Sequence, residues 1–360
     1  MPFKPKTAFK MFNCKTRFAR SAGLIGNLAL TALAFPAHAD PVADFYRGKE
    51  VSIYVGSSTG GGFDLYGRLV SRHLSRYIPG NPTVVVRNMP GAGGIAQVNY
   101  LLNVAVKDGT NIGIINPVMT TAPFLTPDVA KWDSRKFVWL GSANAEISTC
   151  AFWTASKVGD VKALAGVGKG LMVAGVGPSS GSTLDAIILK NIMGWKWNIV
   201  TGYPGLSNAM NAAEAGEADG MCGLNVTTLK ARLWGPIERG EVKVLLQTSL
   251  RNHPELPGVA NAFDLDVTAE QKQMMELVFG PWIFGRPFIA TPGVPEERLA
   301  ALRKALKDVL ADPQLLQEAE KTKSEISYMP PAEIQPIVER FYATPPEVRE
   351  KTRLMLDVRS

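Results

Sequence analysis

The chain has 360 residues, 46% of them hydrophobic and 20% charged. That is long enough for two domains and too apolar and mixed for a disordered or fibrous chain. Its 39 basic and 32 acidic residues give a formal charge of +7, but six of the basic residues lie before position 40, where there is no Asp or Glu. Without that segment 33 basic residues face 32 acidic ones, which removes the electrostatic case for a nucleic-acid partner.

Residues 1–39 carry a basic stretch ending at Arg20, an apolar stretch from Ala22 to Phe35 and the small-residue pattern Ala37-His38-Ala39. These are the parts of a secretory signal, with cleavage expected after Ala39. The apolar stretch contains Asn27, stops at Pro36 and is shorter than the ~20 residues of a membrane span. Export leaves two cysteines, Cys150 and Cys222. In an oxidising compartment they either pair or sit as small core residues. A metal is not expected, because only His73 and His253 accompany them, without ligand spacing.

From residue 51 the chain alternates β-rich runs with helical patterns, as in an α/β fold. Strands are expected at 51–55, 83–86, 112–115 and 137–140, with helices after 62 and over 93–102. A second series has strands at 148–154, 171–176, 197–200, 219–224 and 242–246. Its helices run over 184–192 and around Met210 and Leu229, and a last amphipathic helix opens at Pro295 with Leu299, Leu302, Leu306 and Leu310 on one side.

Each series contains a strand, a small-residue loop and a helix. Ser58, Thr59, Gly60, Gly61, Gly62 and Asp64 form the first such loop, and Ser179, Ser180, Gly181, Ser182 and Thr183 the second. Unpaired amides at a helix start suit a carboxylate or phosphate. No Lys-Ser/Thr follows the glycines, so neither is a P-loop. A third stretch, Gly91-Ala92-Gly93-Gly94-Ile95-Ala96, fits a dinucleotide fingerprint, but Asp108 precedes the next strand where the ribose-binding acid should end it. No cofactor is expected. Gly177-Pro178-Ser179-Ser180-Gly181 also fits a nucleophile elbow, with Asp219 and His253 completing a triad of an exported serine hydrolase. His253 lies in the turn-like run Arg251–Pro257, which makes it a poor base, so the expectation is a binding protein and not an enzyme.

The ordered segments Gly60–Asp64, Asn88–Gly94, Asp108-Gly109-Thr110, Gly177–Thr183, Gly202-Tyr203-Pro204-Gly205 and Pro292-Gly293-Val294-Pro295 resemble those of the solute-binding proteins of tripartite tricarboxylate transporters. The resemblance implies a two-lobed periplasmic binding protein fold of type II, with the ligand cleft between the lobes. It implies a monomeric receptor that captures a small organic acid and passes it to membrane permease subunits. Lobe one would comprise 40–143 and 248–360 and lobe two 144–247, with chain crossings near 141–144 and 246–249. The two loops above would hold the carboxylate. Three departures tell against citrate: Gly223-Leu224-Asn225 lacks the family's usual Asp, Tyr203-Pro204-Gly205 lacks its Lys, and Gly285-Arg286-Pro287-Phe288 alters its aromatic run.

Overall fold

Strand β1 (Glu50–Val55) is buried from its second residue onward, as expected of a strand in the middle of a parallel sheet covered on both faces. It pairs in parallel with β2 (Thr83–Asn88) and β3 (Asn111–Ile114). The computed structural model describes residues 40–166, 170–178 and 180–356. The expected signal and its cleavage point after Ala39 lie outside the described residues, as does Ser179.

Among the described residues the strands make two sheets. The first has the order β2-β1-β3-β11-β4 and also uses β4 (Val138–Ser142) and β11 (Pro287–Ala290). The second has the order β10-β9-β5-β8-β6-β7, built from β5 (Ser148–Trp153), β6 (Leu171–Ala174), β7 (Trp197–Val200), β8 (Gly220–Asn225), β9 (Val242–Thr248) and β10 (Ala260–Asn261). Each sheet keeps a parallel trio and adds antiparallel strands where the chain crosses over. β11 runs against both β3 and β4, and β5 runs against both β8 and β9.

Both sheets are covered by helices on both faces. On the first, Tyr66, Leu69 and Val70 of helix Gly62–Leu74 pack with Leu299, Leu302 and Leu306 of helix Glu296–Val309. Ile95, Val98 and Leu101 of helix Ile95–Asn103 pack with Trp139, Phe284 and Phe341 in the other cluster. On the second sheet, helices Gly181–Met193 and Ala269–Phe279 share a core with Val348 and Leu356, while Ala209, Met210 and Ala213 of helix Leu206–Glu214 belong to a separate core. These clusters bury aliphatic and aromatic surface at roughly 25 cal/mol per Å², the main favourable contribution to folding.

Cys150 and Cys222 are joined by a disulfide. They sit on adjacent antiparallel strands, where the β5–β8 register shifts between Thr149 and Ala151.

The chain passes from the first sheet to the second over 143–147, between β4 and β5, and returns over 280–286 into β11. The return expected at 246–249 is therefore displaced. Beyond residue 247, β10 pairs with β9, and Met274, Met275, Val278 and Phe279 pack on the second sheet. Val348 and Leu356 join the same core, so parts of 248–360 that the sequence reading grouped with lobe one pack with lobe two. The physical reason is apolar demand: the outer face of helix Gly181–Met193 is closed by elements from distant sequence.

Candidate functional site

Parallel strands aim their carboxyl ends the same way, and the loops that follow them line the crevice where α/β folds bind ligands. Here that happens twice. Residues after β1, β2 and β3 (Gly56–Ser58 and Gly61–Phe63, Pro90–Gly93 and Asn116) face residues after β6 and β7 (Val176–Pro178, Ser180–Ser182 and Gly202–Ser207) across one cavity of about 400 Å³. Gly223 and Asn225 of β8 and Thr228 of the short helix that follows it complete the wall, with Trp282 and Arg286 from the returning crossing.

Helix Gly62–Leu74 starts at this cavity. Its N-cap is Gly61, which provides no side-chain cap, and no acceptor among the described residues is found for the amides of Gly62 and Phe63. Those amides, with the positive end of the helix dipole, are free to bind an anion. Asp64 does not line the cavity. Its carboxylate accepts from the Gly60 amide (2.9 Å), Arg68 Nε (2.9 Å) and Asn88 Nδ2 (2.9 Å). Burial opposes its ionisation, but Arg68, the Gly60 amide and Asn88 together outweigh burial and hold the carboxyl below its usual range. Asp64 thus ties the loop together and is a positioning residue. Thr59 and Gly60 are exposed and outside the lining, whereas Ser58, Gly61 and Gly62 are in it.

Among the described residues, the second loop spends its hydroxyls on itself. Ser180 caps helix Gly181–Met193. Its Oγ donates to the Gly177 carbonyl (2.8 Å) and lies 3.1 Å from Ser182 Oγ and 3.0 Å from Thr183 Oγ1. Ser182 Oγ accepts from the Val176 amide (3.2 Å). Thr183 is fully buried beneath the loop and does not line the cavity. Ser180, Gly181 and Ser182 do line it, so what this loop presents is mainly backbone. Gly181 is required by packing: any Cβ there would run into the ring of Trp282.

Sequence reasoning missed several lining residues. Ser57 precedes the first predicted residue, and its buried Oγ has no hydrogen-bond partner among the described residues. The Gly91–Gly93 turn, weighed only as a dinucleotide loop, lines the cavity because it follows β2 as the first loop follows β1. Arg286, noted in the sequence only as part of a departure from the family's aromatic run, reaches the cavity because β11 returns between β3 and β4. Below the cavity floor lies Asp185, fully buried. It accepts from Ser148 Oγ (2.8 Å), Trp282 Nε1 (3.3 Å) and Thr248 Oγ1 (3.4 Å). Burial pushes its carboxyl up to about 7, although all three hydrogen bonds favour the ionised form.

The elbow-like reading fails on topology. Asp219 immediately precedes β8, which runs parallel to β6, so it lies at the opposite strand end from the 175–180 loop; its carboxylate accepts from the Met172 amide (2.8 Å). His253 accepts from the Glu255 amide through Nδ1 (3.1 Å), and its Nε2 lies 3.8 Å from Glu325. Neither residue lines the cavity.

The model of the tripartite tricarboxylate transporter family receptor matches residues 68–339. The chain belongs to this family. Its members are receptors, and the chain is a binding protein, not an enzyme. Among solved structures, the periplasmic binding protein BugD is 23% identical, with a TM-score of 0.66 over 85% of this chain and 98% of that one. MatC from Rhodopseudomonas palustris with bound malate is 18% identical (TM-score 0.65, 86% and 99% covered). An R. palustris protein solved with adipate is also 18% identical (TM-score 0.65, 85% and 97% covered). At these identities the likeness shows the fold, a two-lobed periplasmic binding protein with the cavity between its lobes. No curated protein sequence matches. No helix among the described residues is long and apolar enough to cross a membrane.

Proposed function

We propose that this protein is an exported periplasmic receptor that captures a small organic acid between its two lobes and delivers it to the permease of a tripartite tricarboxylate-type transporter. The observation that carries the reading is the meeting of two helix N-termini, at Gly62 and Gly181, on one cavity between two sheets. Family membership supports the same reading, and so do the fold relatives solved with malate and adipate.

The carboxylate is held by backbone amides at the lobe-one loop (Ser58, Gly61, Gly62) and the lobe-two loop (Gly181, Ser182), with Ser180, whose amide donates to the Gly177 carbonyl, lining the site beside them. Ser179 shares the second loop by sequence. Asp64 and Thr183 hold the loops from behind, and Thr59 and Gly60 complete the first loop at its exposed edge. Residues 1–39 direct export and are removed after Ala39, and the mature chain acts as a monomer. The lobes rotate about the crossings at 143–147 and 280–286, since a few residues at element ends can absorb a hinge motion.

The test is a thermal-shift screen of residues 40–360 against mono-, di- and tricarboxylates. A ligand at 100 times its dissociation constant adds about 2.7 kcal/mol of stability, which raises the melting temperature measurably. Stabilisation by carboxylates but not by their amides is expected. No stabilisation by any acid would contradict the reading.

A further inference from the structure

Arg286 is 2% exposed, lines the cavity and carries its only charged side chain among the described lining residues. Its guanidinium is poorly satisfied. Nη1 donates to the Gly285 carbonyl (3.2 Å), Nη2 stands 3.4 Å from Glu146 Oε2, and the buried Nε has no hydrogen-bond partner among the described residues. The Glu146 carboxylate, by contrast, already accepts from the Thr227 amide (3.3 Å), Thr227 Oγ1 (2.9 Å) and Asn144 Nδ2 (3.1 Å). The pair is therefore unequal: the anion has its partners and the cation lacks them. A guanidinium has five N–H donors, and leaving them unpaired away from water is costly.

The position of the cation adds to this. The guanidinium stacks near Phe63 (4.6 Å) and Tyr66 (5.2 Å), which hold its plane. Its Nη2 lies 2.8 Å from where a Cβ on Gly62 would stand, so it sits against the first turn of a helix whose Gly62 and Phe63 amides have no acceptor among the described residues. A positive charge at the positive end of a helix dipole is unfavourable, unless an anion binds both. The rest of the lining offers apolar surface from Val176, Tyr203, Leu206 and Trp282 and no second cation among the described residues.

Resting on the receptor reading above, we infer that Arg286 is the charged anchor of the ligand carboxylate and that the cavity selects monocarboxylates with an apolar body. Glu146 and the two rings orient the guanidinium, the Gly62 and Phe63 amides share the carboxylate, and the apolar end lies against Trp282, Tyr203 and Leu206.

The experiment is calorimetry on residues 40–360 with phenylacetate, phenylacetamide, adipate and citrate. Wild-type protein should bind phenylacetate more tightly than the other three. Because a lone Arg286 substitution would strand Glu146, the informative variant is the double Glu146→Gln/Arg286→Gln, which removes both charges and leaves two neutral amides that can still hydrogen-bond. Its phenylacetate affinity should fall about 10- to 100-fold, the cost of losing a hydrogen bond between charged groups, while its melting temperature confirms folding. If the double variant does not fold, Arg286→Lys serves, since it keeps the charge but loses the planar fork and should also weaken phenylacetate binding. Unchanged phenylacetate affinity in the folded variant would overturn the inference. Tighter wild-type binding of adipate or citrate would overturn it too, and leave the receptor reading standing. Binding of no carboxylate at all would overturn both.

Discussion

Asp185 shows how one buried carboxyl can couple the cavity to the crossings. It collects hydrogen bonds from Ser148 at the start of β5, Thr248 at the end of β9 and Trp282 on the return crossing. Burial raises its carboxyl from 3.8 to about 7. The folded protein therefore keeps this proton where the unfolded chain has released it, so the group makes stability fall as pH rises from about 4 to about 7. Thermal melts across that range should show Asp185→Asn with a flatter pH dependence than wild type; identical slopes would refute the assignment. At the second loop, Ser180→Ala removes the helix cap and the contacts that fold 177–183. It should cost about 1 kcal/mol of stability, read by denaturant unfolding, and should weaken acid binding through the loop. An unaltered stability would mean that the loop is held by other contacts.

At the scale of elements, the sequence was most legible where local chemistry decides. Short apolar runs gave nine strands close to their observed positions, and Gly61 and Ser180 are the N-caps of two helices that the small-residue loops announce. The two-residue β10 and the four-residue β11 carry too little local pattern to read, and β11 is defined by two antiparallel neighbours far away in sequence. The second-loop hydroxyls were read as ligand contacts because sequence cannot tell a free serine from one that caps its own helix. The disulfide between β5 and β8 belongs to this scale too. It closes a sequence separation of 72 residues, for which a cost of about 2–5 kcal/mol on removal is typical. Cys150→Ala/Cys222→Ala should lower the denaturation midpoint by a corresponding amount, with the fold retained. Thiol titration of unreduced, denatured wild-type protein should find neither cysteine reactive, and two reactive thiols would contradict the bond.

For the whole molecule, two three-layer units place the carboxyl ends of their parallel strands on one cavity, and function follows from that placement. The loops lining it come from both sheets, so under the proposed function a bound acid would bridge both lobes and favour closure by its differential affinity. In the proposed reading two helix starts, at Gly62 and Gly181, form the anion site and Arg286 supplies the charge, while Asp64, Ser180 and Thr183 make their hydrogen bonds inside the loops. Gly61 sits at the meeting point with an ordinary backbone conformation (φ −83°), and a Cβ there would have only Ser58 O and Ser57 Oγ nearby, at 3.7 and 3.8 Å. A valine is therefore tolerated by the fold yet projects into the space that the carboxylate needs. The most direct test is calorimetry of wild-type and Gly61→Val protein with the tightest-binding acid from the thermal screen. The account predicts near-complete loss of binding with an almost unchanged melting temperature in the absence of ligand. Equal affinity in the two proteins would place the ligand elsewhere and contradict it.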